Sequence, residues 1–293
     1  MRVVSLGSGS SGNAILVRNG DTAVLVDDGF APRTLLSRLR QAGVSPEEIS
    51  AILLTHEHGD HAGGARAFAR RYGIPLIADP RTLNAICAQP ERGMLGGEPD
   101  APPPERVEMP IGHVLSWGGL EIHSFPISHD AIAPCGYVIA TSAWRVCVAT
   151  DTGMVTDAMI EAMRSAHVLI IEANHDLDRL VNGPYPWHLK QRILSPTGHL
   201  SNEQTGQALA RVLDDGPRWL WLAHLSRTNN TPDIARAHIR KHLRQLGLRH
   251  IQPMPLPPAF DPKAIWDSAA LWDGPEEPAL RSPASPTTAD EDC

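Results

Sequence analysis

The sequence predicts an α/β layered domain. Short apolar runs alternate with segments of helical pattern through most of the 293 residues. Two of those runs, residues 51–54 (AILL) and Val168–Glu172 (VLIIE), are continuous rather than alternating, as strands covered on both faces are. No internal repeat is visible that would point to a solenoid or propeller.

The elements follow in order. Residues 3–6 read as a strand, and the Gly/Ser run 7–12 after them reads as a tight turn between two strands. It has no Lys and no following helix, so it is not a phosphate-binding P-loop. Residues 23–27 (AVLVD) form a strand whose last residue, Asp27, holds a neighbouring loop by hydrogen bonds. Pro32–Gln41 is a helix. Ser45-Pro46-Glu47-Glu48 carries an N-cap residue, Pro at the first helical position and acidic residues in the first turn. Residues 51–54 are a strand and 62–72 a helix. Residues 138–141 and Arg145–Ala149 form a hairpin, and 157–166 a helix before the strand Val168–Glu172. Ser201 caps a helix to about 214, with Gln204 at the capping-box position. Residues 219–222 are a strand, and Thr231-Pro232 opens a last helix to about 246. The Gly/Pro-rich stretch 90–104 reads as a surface loop.

Two domains of unequal kind result: a catalytic body over 1–252, and a Pro-rich acidic tail over 253–293, largely disordered. That tail holds nine of the 26 prolines and lacks apolar periodicity, with Trp266 and Trp272 as residues able to dock part of it. The composition is otherwise that of a globular chain, 42% hydrophobic and 20% charged. No apolar run approaches the roughly 20 residues of a membrane-spanning helix. The N-terminus lacks the apolar core of a secretory signal, and four scattered cysteines make neither a disulfide framework nor a zinc knuckle. A cytoplasmic protein without membrane partners is expected.

The chemistry concentrates in Thr55-His56-Glu57-His58-Gly59-Asp60-His61, directly after the strand 51–54. An extended backbone points His56 and His58 the same way, and Gly59 permits a sharp turn before Asp60 and His61. Three imidazoles and a carboxylate in six residues are costly to pack, and they offer nitrogen and oxygen ligands suited to zinc, manganese or iron.

This H-x-H-x-D-H pattern after an apolar strand resembles the metallo-β-lactamase fold of binuclear hydrolases. The resemblance spans roughly residues 1–250. It implies a four-layer αββα sandwich with the metals at one edge, and further ligands at three later strand ends. His129 (PISHD), Asp151 (ATDTG) and His224 (LAHLS) stand there. The Gly/Ser loop, Glu172-Ala173-Asn174-His175-Asp176, Gly198-His199-Leu200-Ser201-Asn202 and the segment from His224 to Asn230 are similar to the YycJ/WalJ branch, described as bacterial metallo-hydrolases with exonuclease activity on DNA. They also resemble the transfer-RNA 3′-processing ribonucleases.

The resemblance implies that His56, His58 and His129 hold one divalent ion and Asp60, His61 and His224 another, with Asp151 bridging both. Zn and Mn are the expected metals. Such a pair lowers the pKa of a bridging water and neutralises charge developing on a phosphoryl oxygen. Asp60, His199 and Glu172 are the catalytic candidates, with His199 donating a proton to the leaving oxygen and Glu172 orienting its ring. His175 is a residue behind the ligands or a further ligand. Residues 182–192 mix aromatic and basic side chains, as a strand-stacking surface does, or else pack Trp187 into the body. His113, His123, His167, His238, His242 and His250 are read as unrelated to the site.

The expected substrate is nucleic acid, DNA ahead of RNA. A binuclear hydrolase of a thioester, lactone, β-lactam or small phosphodiester has the same ligands and is the alternative. A diiron redox protein tends to carry a carboxylate where His58 stands, and a non-catalytic module would have lost ligands. Only 72 residues separate Asp151 from His224, which leaves no room for the large inserted domain of some nucleases, and the long arm of the transfer-RNA enzymes has no counterpart. The net charge of −7 does not argue against DNA. Residues 261–293 contribute eight acidic and two basic side chains, net −6, and the remainder only −1. Two divalent ions would bring that remainder to about +3, leaving the tail as a solvated acidic appendage.

Overall fold

The computed structural model describes residues 1–88, 102–216 and 218–271. Their strands form two seven-stranded sheets. The first half of the chain runs β1 (Arg2–Gly7), β2 (Ala14–Asn19) and β3 (Thr22–Val26) as an antiparallel meander. It then adds β4 (Ile49–Leu53), β5 (Leu76–Ala78) and β6 (Arg106–Glu108) parallel to β3. The crossovers carry α1 (Pro32–Gln41), the short α2 (Gly59–Ala62) with α3 (Ala65–Tyr72), and α4 (Pro80–Ala88).

The second half repeats this plan without repeating the sequence. β7 (Val114–Trp117), β8 (Leu120–Pro126), β9 (Cys135–Ala140) and β10 (Arg145–Ala149) are antiparallel. After α5 (Asp157–Arg164), β11 (Val168–Glu172) lies parallel to β10. The segment to the next strand holds α6 (Leu177–Asn182), α7 (Trp187–Leu194) and α8 (Asn202–Val212). β12 (Trp219–Ala223), α9 (Pro232–Gln245) and β13 (Pro253–Pro255) complete the second sheet. β14 (Ile265–Asp267) returns to the first, antiparallel to β1.

Strand alternation feeds three apolar layers. In β11, Val168 and Ile170 face the first sheet's Val24, Leu53 and Ile77, while Leu169 and Ile171 face Met159, Leu209 and Ile239 of the outer helices. In the first sheet, Ala51 and Leu53 point into the sandwich, and Ile52 and Leu54 toward Leu39 and Phe68. Helix, sheet, sheet, helix is therefore the layer order, the expected αββα sandwich.

Three expectations need correction. The helix expected over 62–72 is interrupted at Gly63 and Gly64. A Cβ on Gly64 would lie 1.9 Å from the Phe30 carbonyl oxygen, so this close crossing requires glycine. Ser45-Pro46-Glu47-Glu48 makes one 3-10 turn, with Glu48 reaching back to the Ser45 amide, and no longer helix. The body does not end at 252. β13 and β14 extend it to residue 271, and Trp266, 4% exposed, packs edge-on against Trp144 and tilted against Trp219 at centroid distances of 5.1 and 5.4 Å. Edge position explains the proline-rich β13, since an edge strand tolerates missing donors. Residues 90–101 of the expected surface loop, Trp272 and the acidic tail lie outside the described residues.

Candidate metal centre

Parallel strands end on the same edge, so the C-terminal ends of β3, β4, β10, β11 and β12 converge. Asp27, Asp151 and His224, each just beyond one of those strands, adopt left-handed backbone with φ of 64°, 56° and 53°. That conformation is uncommon outside glycine, and it turns each side chain sharply out of the strand direction.

Three of the imidazoles form one group. His129 Nδ1 donates to the Gly198 carbonyl at 3.2 Å, which leaves the Nε2 lone pair facing His58 Nδ1, 3.2 Å away. His56 Nδ1 contacts Thr55 Oγ1 at 2.9 Å, and its buried Nε2 has no hydrogen-bond partner among the described residues. Burial holds both His56 and His129 below the ordinary imidazole range, so their lone pairs are available.

The second group lies beside it. His61 donates through Nδ1 to Asp27 at 2.7 Å, fixing its tautomer. Its Nε2 is 2.7 Å from Asp151 Oδ2, yet Asp151 Oδ2 makes no well-aligned hydrogen bond among the described residues. His224 Nε2 lies 3.2 Å from Asp60 Oδ2. Candidate ligand atoms of His56, His58 and His129 lie within 4.8 Å of one another, as do those of Asp60, His61 and His224; Asp151 joins His56 and His61 in a third such group. Orphaned buried atoms and converging lone pairs of nitrogen and oxygen donors are what divalent ions require, so the residues fit the expected metals.

The electrostatics agree. Burial opposes charge on Asp151, but His224 and His61 outweigh it and hold the carboxyl well below its usual range. Burial likewise opposes charge on His224, yet Asp151 and Asp60 push it up to about 10. Without a metal, protons on these imidazoles compensate the buried carboxylates, and a cation entering the centre displaces them.

Glu172 and His199 sit together at its border. His199 Nδ1 donates to Glu172 Oε1 at 2.8 Å, and the Thr152 amide donates to Glu172 Oε2 at 2.9 Å. Burial opposes charge on His199, but Glu172 and Asp151 raise it above the ordinary value. His199 lines an open cleft with His58, Asp60 and His224, and Tyr185 and Arg192 line it too. Arg192 Nε donates to Asp130 at 2.5 Å.

Asp27 holds the ligand loop as expected, accepting also from the Thr55 amide at 2.8 Å. The Gly/Ser turn does more than join two strands. Asn13 donates to the Asp60 carbonyl at 3.2 Å and contacts His61 Nε2 at 3.0 Å, and Ser8 Oγ accepts from the His224 amide at 2.9 Å. Only the loop's chemistry hinted at this, because its partners are far away in sequence. His175 is fully buried, and among the described residues it has no hydrogen bond to either ring nitrogen and belongs to none of the candidate ligand groups. Trp187 is 62% exposed on α7, so it does not pack into the body. Of the histidines set aside as unrelated, His238 and His242 gather around Glu203, away from the cleft.

A profile of the family described as "Beta-lactamase superfamily domain" matches residues 22–225. Exodeoxyribonuclease YycJ of Bacillus anthracis is 36% identical over 242 residues, covering 83% of this chain and 89% of that protein. Exodeoxyribonuclease WalJ of Streptococcus pneumoniae is 39% identical over 243 residues, 83% of this chain and 88% of that one. Among solved structures, the metallo-beta-lactamase fold protein YhfI from Bacillus subtilis superposes with a TM-score of 0.66 at 20% identity, over 91% of this chain and 99% of that one. Human tRNase Z, short form, gives 0.58 at 17% identity, over 78% and 93%. With its αββα sandwich, its convergent His/Asp centre and its kinship to YycJ and WalJ over most of its length, the chain belongs to the beta-lactamase superfamily domain family and is a metal-dependent hydrolase.

Proposed function

We propose that this hydrolase is a DNA exonuclease working with two divalent ions, Zn or Mn. His56, His58 and His129 would hold one ion and Asp60, His61 and His224 the other, with Asp151 between them. When bound, the ions supply an activated water and neutralise charge on the phosphoryl oxygens. The single observation that carries the reading is the His199–Glu172 pair set at the border of that ligand cluster in an open cleft.

The protein's own residues do the rest. Glu172 holds the His199 ring through Nδ1, which leaves Nε2 to serve the cleft. His199, which Glu172 and Asp151 hold above the ordinary imidazole value against the opposing effect of burial, would pass a proton to the departing 3′- or 5′-oxygen, becoming neutral as the alcohol forms. Arg192, pinned by Asp130, offers a planar donor to a neighbouring phosphate. Exposed Trp187 and cleft-lining Tyr185 offer faces on which bases stack. The relatives named exodeoxyribonucleases favour DNA over RNA or a small ester. The same reading puts the enzyme in the reducing cytoplasm, in keeping with its free Cys87, Cys135 and Cys147.

The test is cleavage of end-labelled duplex and single-stranded DNA, RNA and a thioester by metal-loaded protein. DNA shortening from one end, lost in Asp60→Asn and His199→Ala, is expected. Absence of cleavage of any nucleic acid by the wild type contradicts the reading.

A further inference from the structure

A second cluster of ligating side chains lies on the outer helices. His238 and His242 stand one turn apart on α9, and Glu203 lies in the first turn of α8. Each Nε2 is 3.0 Å from the same oxygen, Glu203 Oε2, and the rings are nearly parallel at 23°. Gln207 donates to the other oxygen, Oε1, at 3.0 Å, which fixes the carboxylate's orientation. His242 reaches this position only because residue 206 is glycine. A Cβ there would lie 2.3 Å from its ring carbon Cδ2.

We propose that Glu203, His238 and His242 form an additional site for a divalent transition metal of the zinc, nickel or copper class, clamping α8 to α9. Two imidazoles and one carboxylate are a recurrent ligand set for such ions. With bonds of about 2.0–2.1 Å, neighbouring ligands of a tetrahedral ion stand about 3.4 Å apart, so the 3.0 Å separations need open only slightly. Each imidazole carries its remaining proton on Nδ1 once Nε2 binds. All three side chains are partly exposed, so water completes the shell and the ion has a path in. The hydrogen bonds from His238 and His242 already hold the Glu203 carboxyl down at about 2, so it is ionised under all ordinary conditions.

The site has a structural consequence for the main centre. Thr205, one turn from the start of α8, donates to the Glu172 carbonyl at 2.6 Å, and the Asn202 amide donates to the His175 carbonyl. An ion on Glu203 therefore stiffens the turn that supports Glu172 and the His199 loop.

Full-length protein is stripped with chelator, dialysed against zinc chloride, and its zinc counted by atomic emission. The His238→Ala/His242→Ala variant is expected to take up one equivalent fewer than the wild type, whatever number the main centre holds. Glu203→Gln, which keeps the size and shape of the side chain, is expected to weaken that equivalent at least tenfold, and it carries the same test should the double variant not fold. Equal zinc content and affinity in the wild type and the folded variants overturns the proposal.

Discussion

Asp27→Asn isolates the role of one carboxylate buried behind the candidate ligands. Asp27 accepts from His61 Nδ1 at 2.7 Å, from the Thr55 amide at 2.8 Å, and lies 3.0 Å from Thr55 Oγ1 through each oxygen. Asparagine has only one acceptor oxygen. If that oxygen keeps the Thr55 amide, the new NH2 faces His61 Nδ1 and drives its proton to Nε2, the nitrogen that faces Asp151 and is needed for a metal. If the amide flips, two donors oppose each other in a buried site. Either arrangement forfeits a hydrogen bond to a charged group, about 1.5–3 kcal/mol. Loss of a partner behind a ligand is typically worth 10–100-fold in metal affinity, about 1.4–2.7 kcal/mol, the same size. The assay is competition against a chromophoric chelator, read on the tightest-bound equivalents, with circular dichroism to confirm the fold. Folded Asp27→Asn binding metal with wild-type affinity would refute this account of His61.

Further outcomes follow from other residues. His199→Ala should lower turnover on DNA about 10²–10⁴-fold while metal content stays unchanged, and the alkaline limb of the pH–rate profile should flatten; lost metal instead would make His199 a ligand. Burial lowers His175 to about 4 from 6.5, so the unfolded chain binds the proton first as pH falls. Stability is therefore full above about pH 6.5 and should fall by about 3 kcal/mol towards pH 4; denaturant melts should show this loss shrinking in His175→Leu, and an identical pH dependence would contradict it. Burial pushes the Cys135 thiol up to about 12 and Cys147 higher still, so iodoacetamide at pH 8 should label Cys87 and spare both until the protein unfolds. Trp266→Ala should cost about 3–5 kcal/mol in urea unfolding, and a loss below about 1 kcal/mol would mean that β14 is not integral to the body.

The candidate centre was legible because its proposed ligands sit at strand ends, where a buried apolar run stops and a polar residue begins. His56 to His61 are contiguous and announce metal chemistry themselves. His129, Asp151 and His224 are single residues that acquired meaning only through the resemblance. Strands β8, β10 and β12 then deliver them to one edge. What the sequence concealed depends on distant partners. Pro253 and Pro255 look like tail residues, yet an edge position beside Leu220 and Leu222 accommodates them. Trp266 anchors β14 through tryptophans more than 40 residues upstream. Asn13 supports Asp60 across 47 residues, and Glu203 meets two histidines of another helix, contacts that no local pattern encodes.

The central claim is that these strand ends hold two divalent ions bridged by Asp151. Anomalous diffraction from crystals grown with manganese or zinc tests it directly. The account predicts two peaks in the cleft, one among His56, His58 and His129 and one among Asp60, His61 and His224, with the Asp151 carboxylate between them. A single peak there, or none in crystals of protein that cleaves DNA, would contradict it.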